Sequence, residues 1–180
     1  MKTGPTSPCI ALRTQRGVTL LELMIALSVL GVLLAIGVPS YTSITRENLI
    51  AAQSSNLMQS FTLARSEALK RGLRVSVCPI ANDNTAVCLT ANDWASGWMV
   101  FEDDFGGAGT VDPGDRTVHV FAPAAGITIT TLNSAVVYLP TAAVQTGVSF
   151  DVSKTGCTGQ QKRTIAVATT GRATITKTAC

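Results

Sequence analysis

The sequence is poor in the side chains that catalytic sites use. Its 180 residues include one histidine, and aromatic residues make up 5% and charged residues 14% of the chain. The sequence contains no Ser/His/Asp spacing, nucleophile motif or phosphate-binding loop, which argues against an enzyme. Hydrophobic residues make up 46%, which argues against a disordered polar chain. The length suits one domain of ordinary size.

Long apolar runs are also scarce. The one such run, residues 18–38, carries a single charge, Glu22. A run of this length can span a bilayer as an α-helix. An ordinary signal peptide cut after Gly37 is the competing interpretation, but the run is long for a signal core. We therefore expect a retained membrane helix in which Glu22 requires a cationic partner, because an unpaired carboxylate in hydrocarbon is costly.

Charge is distributed unevenly along the chain. Residues 1–17 hold three bases and no acid, and residues 75–115 hold seven acids and no base. Residues 116–180 hold six bases against one acid. This asymmetry predicts either complementary faces that pair between subunits or one basic face for a polyanion.

The cysteines indicate an oxidising compartment. Cys9 lies in the basic leader, and four more follow the apolar run: Cys78, Cys88, Cys157 and Cys180. Four cysteines beyond an export segment predict two disulfides. Of the three pairings we favour Cys78–Cys88 with Cys157–Cys180, because each closes a loop within one neighbourhood. Zinc is not expected, since the chain has no C-x-x-C pair and its one histidine, His119, lies in a strand-like stretch.

The periodicity beyond the apolar run predicts an α+β architecture. Helical spacing places Ile50, Leu57, Phe61, Ala64 and Ala68 on one stripe, and Pro39 is expected to kink the helix. From residue 73 the period changes to two, which predicts about eight short and mostly antiparallel strands. The predicted divisions are a leader (1–17), a transmembrane helix (18–38), an amphipathic helix (39–72) and a β-sheet head (73–180).

The start of the apolar run carries a processing motif. Its sequence, Arg16-Gly17-Val18-Thr19-Leu20-Leu21-Glu22, resembles the type IV prepilin signature, in which a dedicated peptidase cuts after glycine. The resemblance implies cleavage between Gly17 and Val18, N-methylation of Val18, and a role in assembly for Glu22, the fifth mature residue. The usual first mature residue is Phe, so Val18 is a departure. The new amine of a neighbouring subunit would be the cationic partner of Glu22, in a pair that sets register.

Later motifs resemble the FimT/GspH (FimU-like) group of minor pilins and pseudopilins. They are Ala64–Ala68 (ARSEA), Val75–Pro79 (VSVCP), Trp94–Phe101 (WASGWMVF) and Gly171-Arg172. The resemblance implies the type IV pilin fold, with a long helix on a β-sheet head, and no enzymatic activity or cofactor. It implies the prepilin peptidase, other major and minor pilins and, before assembly, inner-membrane lipid as partners, with the head in the periplasm. We expect a pilus subunit; the alternative is a minor pseudopilin of a type II secretion system.

The basic carboxyl end adds a DNA hypothesis. Some members of the FimT group bind DNA for natural transformation through a surface that includes a Gly-Arg-x-Arg element. This chain reads Gly171-Arg172-Ala173-Thr174, so the second arginine is missing. The candidate contacts to double-stranded DNA are Lys154, Lys162, Arg163, Arg172 and Lys177. Such contacts predict weak, salt-sensitive and sequence-independent binding; the alternative is a structural or intersubunit role for Arg172.

The acidic stretch from Glu102 to Asp115 combines five acids with four glycines. Oxygen-rich loops can bind Ca²⁺, but this spacing does not match the D-x-D-x-D-G loop. We therefore expect a solvated hairpin loop and no metal site.

Overall fold

A long helix forms the first described part of the chain. The computed structural model describes residues 17–81, 87–89, 92–122 and 126–180, apart from the side chain of Pro39. Helix α1 spans Leu20–Arg71 and continues through Pro39. The chain divides into two compact units, with the boundary between Tyr41 and Thr42. The predicted leader, except Gly17, lies outside the described residues.

The first unit contains the apolar part of α1. An 18-residue window of this helix has a mean hydropathy of 2.5, and none of that window is buried. Among the described residues, α1 is the one helix long and apolar enough to cross a membrane.

The second unit contains all the described strands. They are β1 (Val75–Pro79), β2 (Trp98–Glu102), β3 (Arg116–Phe121), β4 (Ile127–Thr130), β5 (Val136–Tyr138), β6 (Val148–Lys154), β7 (Lys162–Val167) and β8 (Ala173–Thr178). A short 3₁₀ turn, Trp94–Ser96, precedes β2. All strand pairs are antiparallel, which confirms the predicted α+β class.

The strands form two sheets rather than one. Their orders are β3-β2-β1-β5 and β4-β6-β7-β8. Strand β4 pairs with β6 and not with the preceding β3, so the chain changes sheet between β3 and β4. Strand alternation alone does not reveal this change, because it reports which residues face the core and not which strands pair.

The predicted helical stripe faces the core of the second unit. All five of its residues, Ile50, Leu57, Phe61, Ala64 and Ala68, are fully buried. The Phe61 ring centroid lies 5.2 Å from that of Phe150 on β6, which in turn lies 4.8 Å from that of Trp94. Full burial of a large apolar side chain contributes about 1.5–3 kcal/mol, so this cluster holds the second half of α1 against the sheets.

Candidate assembly site and basic surface

The helix begins directly after the predicted cleavage point. Gly17, Val18 and Thr19 precede α1, and the Glu22 backbone N–H donates to Thr19 Oγ1 at 3.3 Å. Thr19 is therefore the N-cap of α1, and Glu22 occupies the third helical position in the first turn. An acidic side chain there also interacts favourably with the positive end of the helix dipole. The Thr-x-x-Glu spacing of a capping box is the sequence signal for this helix start, and the prepilin-like motif alone does not reveal it.

The apolar side chains that follow lie open to solvent. Every described side chain from Val18 to Val38 is exposed, with Val18 at 71% and Leu20 at 77% of full exposure. A contiguous apolar surface of this extent requires a hydrophobic environment, because soluble monomers rarely expose large apolar patches. The helix continues through Pro39, where the missing N–H removes one helical hydrogen bond; the kink at Pro39 stays a prediction.

Two disulfides are present in the second unit. Cys78 is bonded to Cys88, with their Cα atoms 5.5 Å apart, and Cys157 to Cys180, with their Cα atoms 5.8 Å apart. These are the pairs that loop closure favours. The second disulfide fixes the chain end beyond β8 to the turn between β6 and β7. Cys9 lies outside the described residues.

Four of the five candidate DNA contacts lie at one end of the second sheet. We call Lys154, Lys162, Arg163 and Lys177 the basic sheet end. Lys162 and Arg163 begin β7, Lys154 ends β6, and Arg163 pairs with Lys177 of β8 in the strand register. Antiparallel pairing therefore brings together bases that are distant in sequence.

Carboxylates occupy part of this basic sheet end. Glu47 Oε1, on α1, lies 2.9 Å from Lys177 Nζ and 3.5 Å from Arg163 Nη2. Asp151 Oδ2 lies 3.4 Å from Lys162 Nζ. The hydrogen bond and charge of Lys177, together with the charge of Arg163, hold the pKa of Glu47 below its usual value. At least three of the four bases therefore already contact an acid, which weakens the field available to a polyanion.

Arg172 lies at the opposite end of the β7–β8 hairpin. The turn is closed by Ala168 N–H, which donates to Arg172 O at 2.9 Å, and by Gly171 N–H, which donates to Ala168 O at 2.8 Å. Gly171 has a φ of +76°, as expected for the glycine of a three-residue hairpin loop. Lys177 follows Arg172 by five positions along an extended strand, so their Cα atoms are roughly 17 Å apart. Arg172 is therefore separate from the basic sheet end.

Two carboxylates of the acidic stretch, Asp112 and Asp115, accept hydrogen bonds within their own loop. Asp112 Oδ2 accepts from Gly107 N–H at 3.0 Å, and Asp115 Oδ2 accepts from Asp112 N–H at 2.9 Å. No group of three His, Cys, Asp or Glu residues able to hold a metal ion occurs in the part of the chain that the structure describes. The loop therefore has a network of Asp-to-backbone hydrogen bonds.

A buried aspartate anchors this loop to β1, and sequence reasoning did not identify it. Asp103 is fully buried, and its Oδ2 accepts hydrogen bonds from Ser76 Oγ and, at 2.7 Å, from Gly109 N–H. Arg74 Nη2 lies 3.6 Å from Asp103 Oδ1. Burial raises the pKa of Asp103, and the hydrogen bonds of Ser76 and Gly109 oppose that rise. The sequence gives no indication of which aspartate in an acidic run is buried and which are exposed.

His119 lies on β3, at the edge of the first sheet. Its side chain is exposed, and its ring centroid lies 4.6 Å from that of Phe121 in an edge-on arrangement. Its side chain forms no hydrogen bond or ion pair with another described residue. His119 therefore forms an aromatic contact with Phe121 on an edge strand.

Crystal structures of one minor pilin share this fold. Two crystal structures of the type IV minor pilin FimU of Pseudomonas aeruginosa (strain PAO1) match with TM-scores of 0.55 and 0.54 and sequence identities of 18% and 15%. The matches cover 74% and 70% of this chain and 92% and 91% of those chains. The minor pseudopilin EpsH from the type 2 secretion system of Vibrio cholerae matches at a TM-score of 0.45 and 10% identity, over 71% of this chain and 95% of that one. The FimU likeness shows that the fold is that of a type IV pilin.

Sequence comparison identifies the family. No curated protein sequence matches the chain significantly. A family model for the prokaryotic N-terminal methylation motif, which implies processing by a prepilin peptidase, matches residues 12–38. The family model for type II transport protein GspH matches residues 53–171, about two thirds of the chain. The chain therefore belongs to the GspH family and is a FimT/GspH-like pilin.

Proposed function

We propose that this protein is a minor pilin that takes part in the initiation and assembly of a type IV pilus. The observation that carries the proposal is the exposed apolar helix that begins just after Gly17 and holds Glu22 in its first turn. Cleavage between Gly17 and Val18 leaves this helix as a membrane anchor and later as filament core. The protein acts as a structural subunit and not as an enzyme.

Glu22 provides the assembly contact in this proposal. A carboxylate within a membrane-spanning segment is costly unless it is paired. The methylated amine of Val18 on a neighbouring subunit supplies the opposite charge when helices stack. A buried ion pair of this kind sets the register of the stack more than it adds stability.

The proposed location is the bacterial inner membrane, with the head in the periplasm, before transfer to the pilus. The two disulfides of the second unit support an oxidising compartment for the head. Membrane lipid surrounds the apolar part of α1 until other pilins replace it. Those pilins and the prepilin peptidase are the partners that the proposal requires.

The alternative is a minor pseudopilin of a type II secretion system. The pilus is preferred because the later sequence motifs resemble FimT, while the matching family model is itself described as a type II transport protein. Deletion of the gene in the source bacterium distinguishes the two. Loss of surface pili and twitching with normal secretion of folded exoproteins is expected; lost secretion with normal piliation would instead identify a pseudopilin.

Duplex DNA is a second candidate ligand, because antiparallel pairing gathers four bases at the basic sheet end. Acids already contact at least three of these bases, so we expect the binding to be weak. The test is a mobility shift of duplex DNA by the full chain in detergent micelles, titrated with salt. The variant Lys154→Gln should weaken binding and lower the log–log salt slope by about 0.9, the value for one lost phosphate contact. Lys70→Gln, at the end of α1, is the matched control; equal effects of the two substitutions would reject the basic sheet end as the DNA surface.

A further inference from the structure

Two arginines from distant parts of the chain share one cavity. Arg65 lies on α1, and Arg172 follows the β7–β8 turn; both side chains are exposed. They line a cavity of about 120 Å³ together with Phe61, Thr62, Gly171 and Ala173. The motifs Ala64–Ala68 and Gly171-Arg172, which lie far apart in sequence, therefore form one site.

These arginines differ from the others that the structure describes. Five arginines each contact an acceptor: Arg46 with Gly156 O, Arg71 with Glu67 and Glu102, Arg74 with Asp103, Arg116 with Glu102, and Arg163 with Glu47. Arg65 and Arg172 have no hydrogen bond or ion pair to any described residue. Two guanidinium groups whose N–H donors have no described partner, placed around one small cavity, are suited to bind an anion.

The site is built on rigid elements. Arg65 follows Phe61 by one helical turn, and Phe61 packs on Phe150 in the core. Gly171 lies so close to Ala142 that any Cβ at this position would collide with the Ala142 carbonyl oxygen. This close approach fixes the backbone immediately before Arg172. Both arginines therefore project from backbone whose position is set by packing, which favours a preorganised site.

A buried tyrosine lies next to Gly171, one of the residues that line the cavity. The Tyr138 side chain is fully buried, and a Cβ on Gly171 would lie 3.3 Å from its Cε1. Its hydroxyl has no hydrogen-bond partner among the described residues. Burial raises the pKa of Tyr138, and the Arg65 charge opposes that rise.

We propose that the Arg65–Arg172 cavity binds the carboxylate of an Asp or Glu side chain from a neighbouring pilin subunit. Guanidinium groups bind carboxylates through paired N–H donors, and a cavity this small accepts one anionic group. Duplex DNA fits less well, because it requires several phosphate contacts along a surface, and the basic sheet end begins roughly 17 Å away along β8. The inference rests on the proposed function, since it requires a filament neighbour.

The test compares arginine reactivity in two pools of the full-length protein. Cell membranes and sheared filaments from the source bacterium are treated with phenylglyoxal, which modifies accessible arginines, and labelling is read by mass spectrometry. Arg65 and Arg172 should be labelled in membranes and protected about tenfold in filaments, with label restored after filament dissociation. Arg116, whose side chain is 71% exposed, reports the labelling efficiency.

Variants test whether the charge matters. Arg65→Gln and Arg172→Gln should each lower the amount of protein in filaments about tenfold, which corresponds to ~1.4 kcal/mol of lost affinity. Lys70→Gln, a nearby base outside the cavity, should assemble normally. Thermal unfolding of each variant in detergent checks that the head remains folded.

The outcomes separate the inference from the proposed function. Absence of the wild-type protein from sheared filaments contradicts the filament role. Presence in filaments with Arg65 and Arg172 still labelled overturns the cavity proposal and leaves that role standing. Normal assembly of both glutamine variants would also overturn the cavity proposal, as would an equal loss of filament incorporation with Lys70→Gln. If nuclease treatment restores the labelling of Arg65 and Arg172 in filaments, the proposal is overturned in favour of DNA.

Discussion

Glu47 and Lys177 join the two ends of the second unit: Glu47 Oε1 lies 2.9 Å from Lys177 Nζ across a sequence separation of 130 residues. Arg163 contacts the same carboxylate. Two further contacts link this part of α1 to the same region, since Gln161 Nε2 donates to Ser43 Oγ at 2.8 Å and the Arg46 guanidinium donates to Gly156 O. The middle of the helix is thus fastened to the last two strands and the turn before them by polar contacts.

The Glu47 contact should depend on pH. Because its pKa is lowered in the folded protein, its stabilising contribution is complete above the ordinary Glu value, about 4.3. That contribution is lost as the pH falls through the lowered folded value. Glu47→Gln should therefore lower the melting temperature at pH 7, and the difference from wild type should shrink on acidification. Thermal unfolding of the full chain in detergent at several pH values measures this; a constant difference across that range would contradict the assignment.

Substitutions of Glu22 can separate the effect of its charge from the effect of its polar side chain in the first turn of α1. Glu22→Gln keeps a polar side chain suited to the third position of a capping box but removes the charge. We expect normal cleavage after Gly17 and strongly reduced incorporation into filaments for both Glu22→Gln and Glu22→Ala. Mass spectrometry of the mature chain and immunoblots of sheared filaments provide the measurements. Normal incorporation of the glutamine variant would contradict the charge-pairing role of Glu22.

Gly171→Ala should destabilise the head. Its φ of +76° is unfavourable for alanine, and the new Cβ would collide with the Ala142 carbonyl. Gly159→Ala is the matched control, since Gly159 also has a positive φ, +61°, but a Cβ added there would have nothing within 4 Å. We expect about 1–2 kcal/mol of lost stability for the control, the cost of a left-handed conformation, and clearly more for Gly171→Ala. If denaturant unfolding shows equal losses of stability for the two variants, the predicted collision with Ala142 is wrong.

Removal of the terminal disulfide should also lower stability. The Cys157–Cys180 bond closes a loop with a sequence separation of 23 residues, for which loop-closure entropy predicts about 3 kcal/mol. Neither cysteine is buried, so Cys157→Ser with Cys180→Ser adds no buried polar group. Thr158→Ser with Ala179→Ser changes neighbouring positions and keeps the bond. If the disulfide variant melts at the same temperature as this control, the prediction is wrong.

Local pattern was sufficient to predict much of the fold. The 3.6-residue spacing of Ile50, Leu57 and Phe61 identifies the buried side of α1, and strand alternation identifies the head as β-rich. Both signals are local, since they depend on neighbours within one element. The division into two sheets depends instead on which strands pair, and β4 pairs with β6 rather than with β3.

The candidate site shows the same division between local and distant information. The prepilin-like motif around Gly17 and Glu22 is contiguous and was identified directly. The carboxylate that contacts Arg163 and Lys177 comes from α1, more than 100 residues earlier. Likewise, the motifs that contain Arg65 and Arg172 both resemble the same family, but the sequence does not show that the two arginines line one cavity. Only the folded backbone brings them together.

The polar contacts of α1 with the chain end also constrain the order of folding. Ser43, Arg46 and Glu47 have partners 110 to 130 residues later, so synthesis must proceed as far as Lys177 before all of these contacts can form. Until then this part of the helix lacks its final attachment, and closing so distant a loop is slow compared with forming local structure. The head therefore completes its contacts with α1 only after β8 has been synthesised.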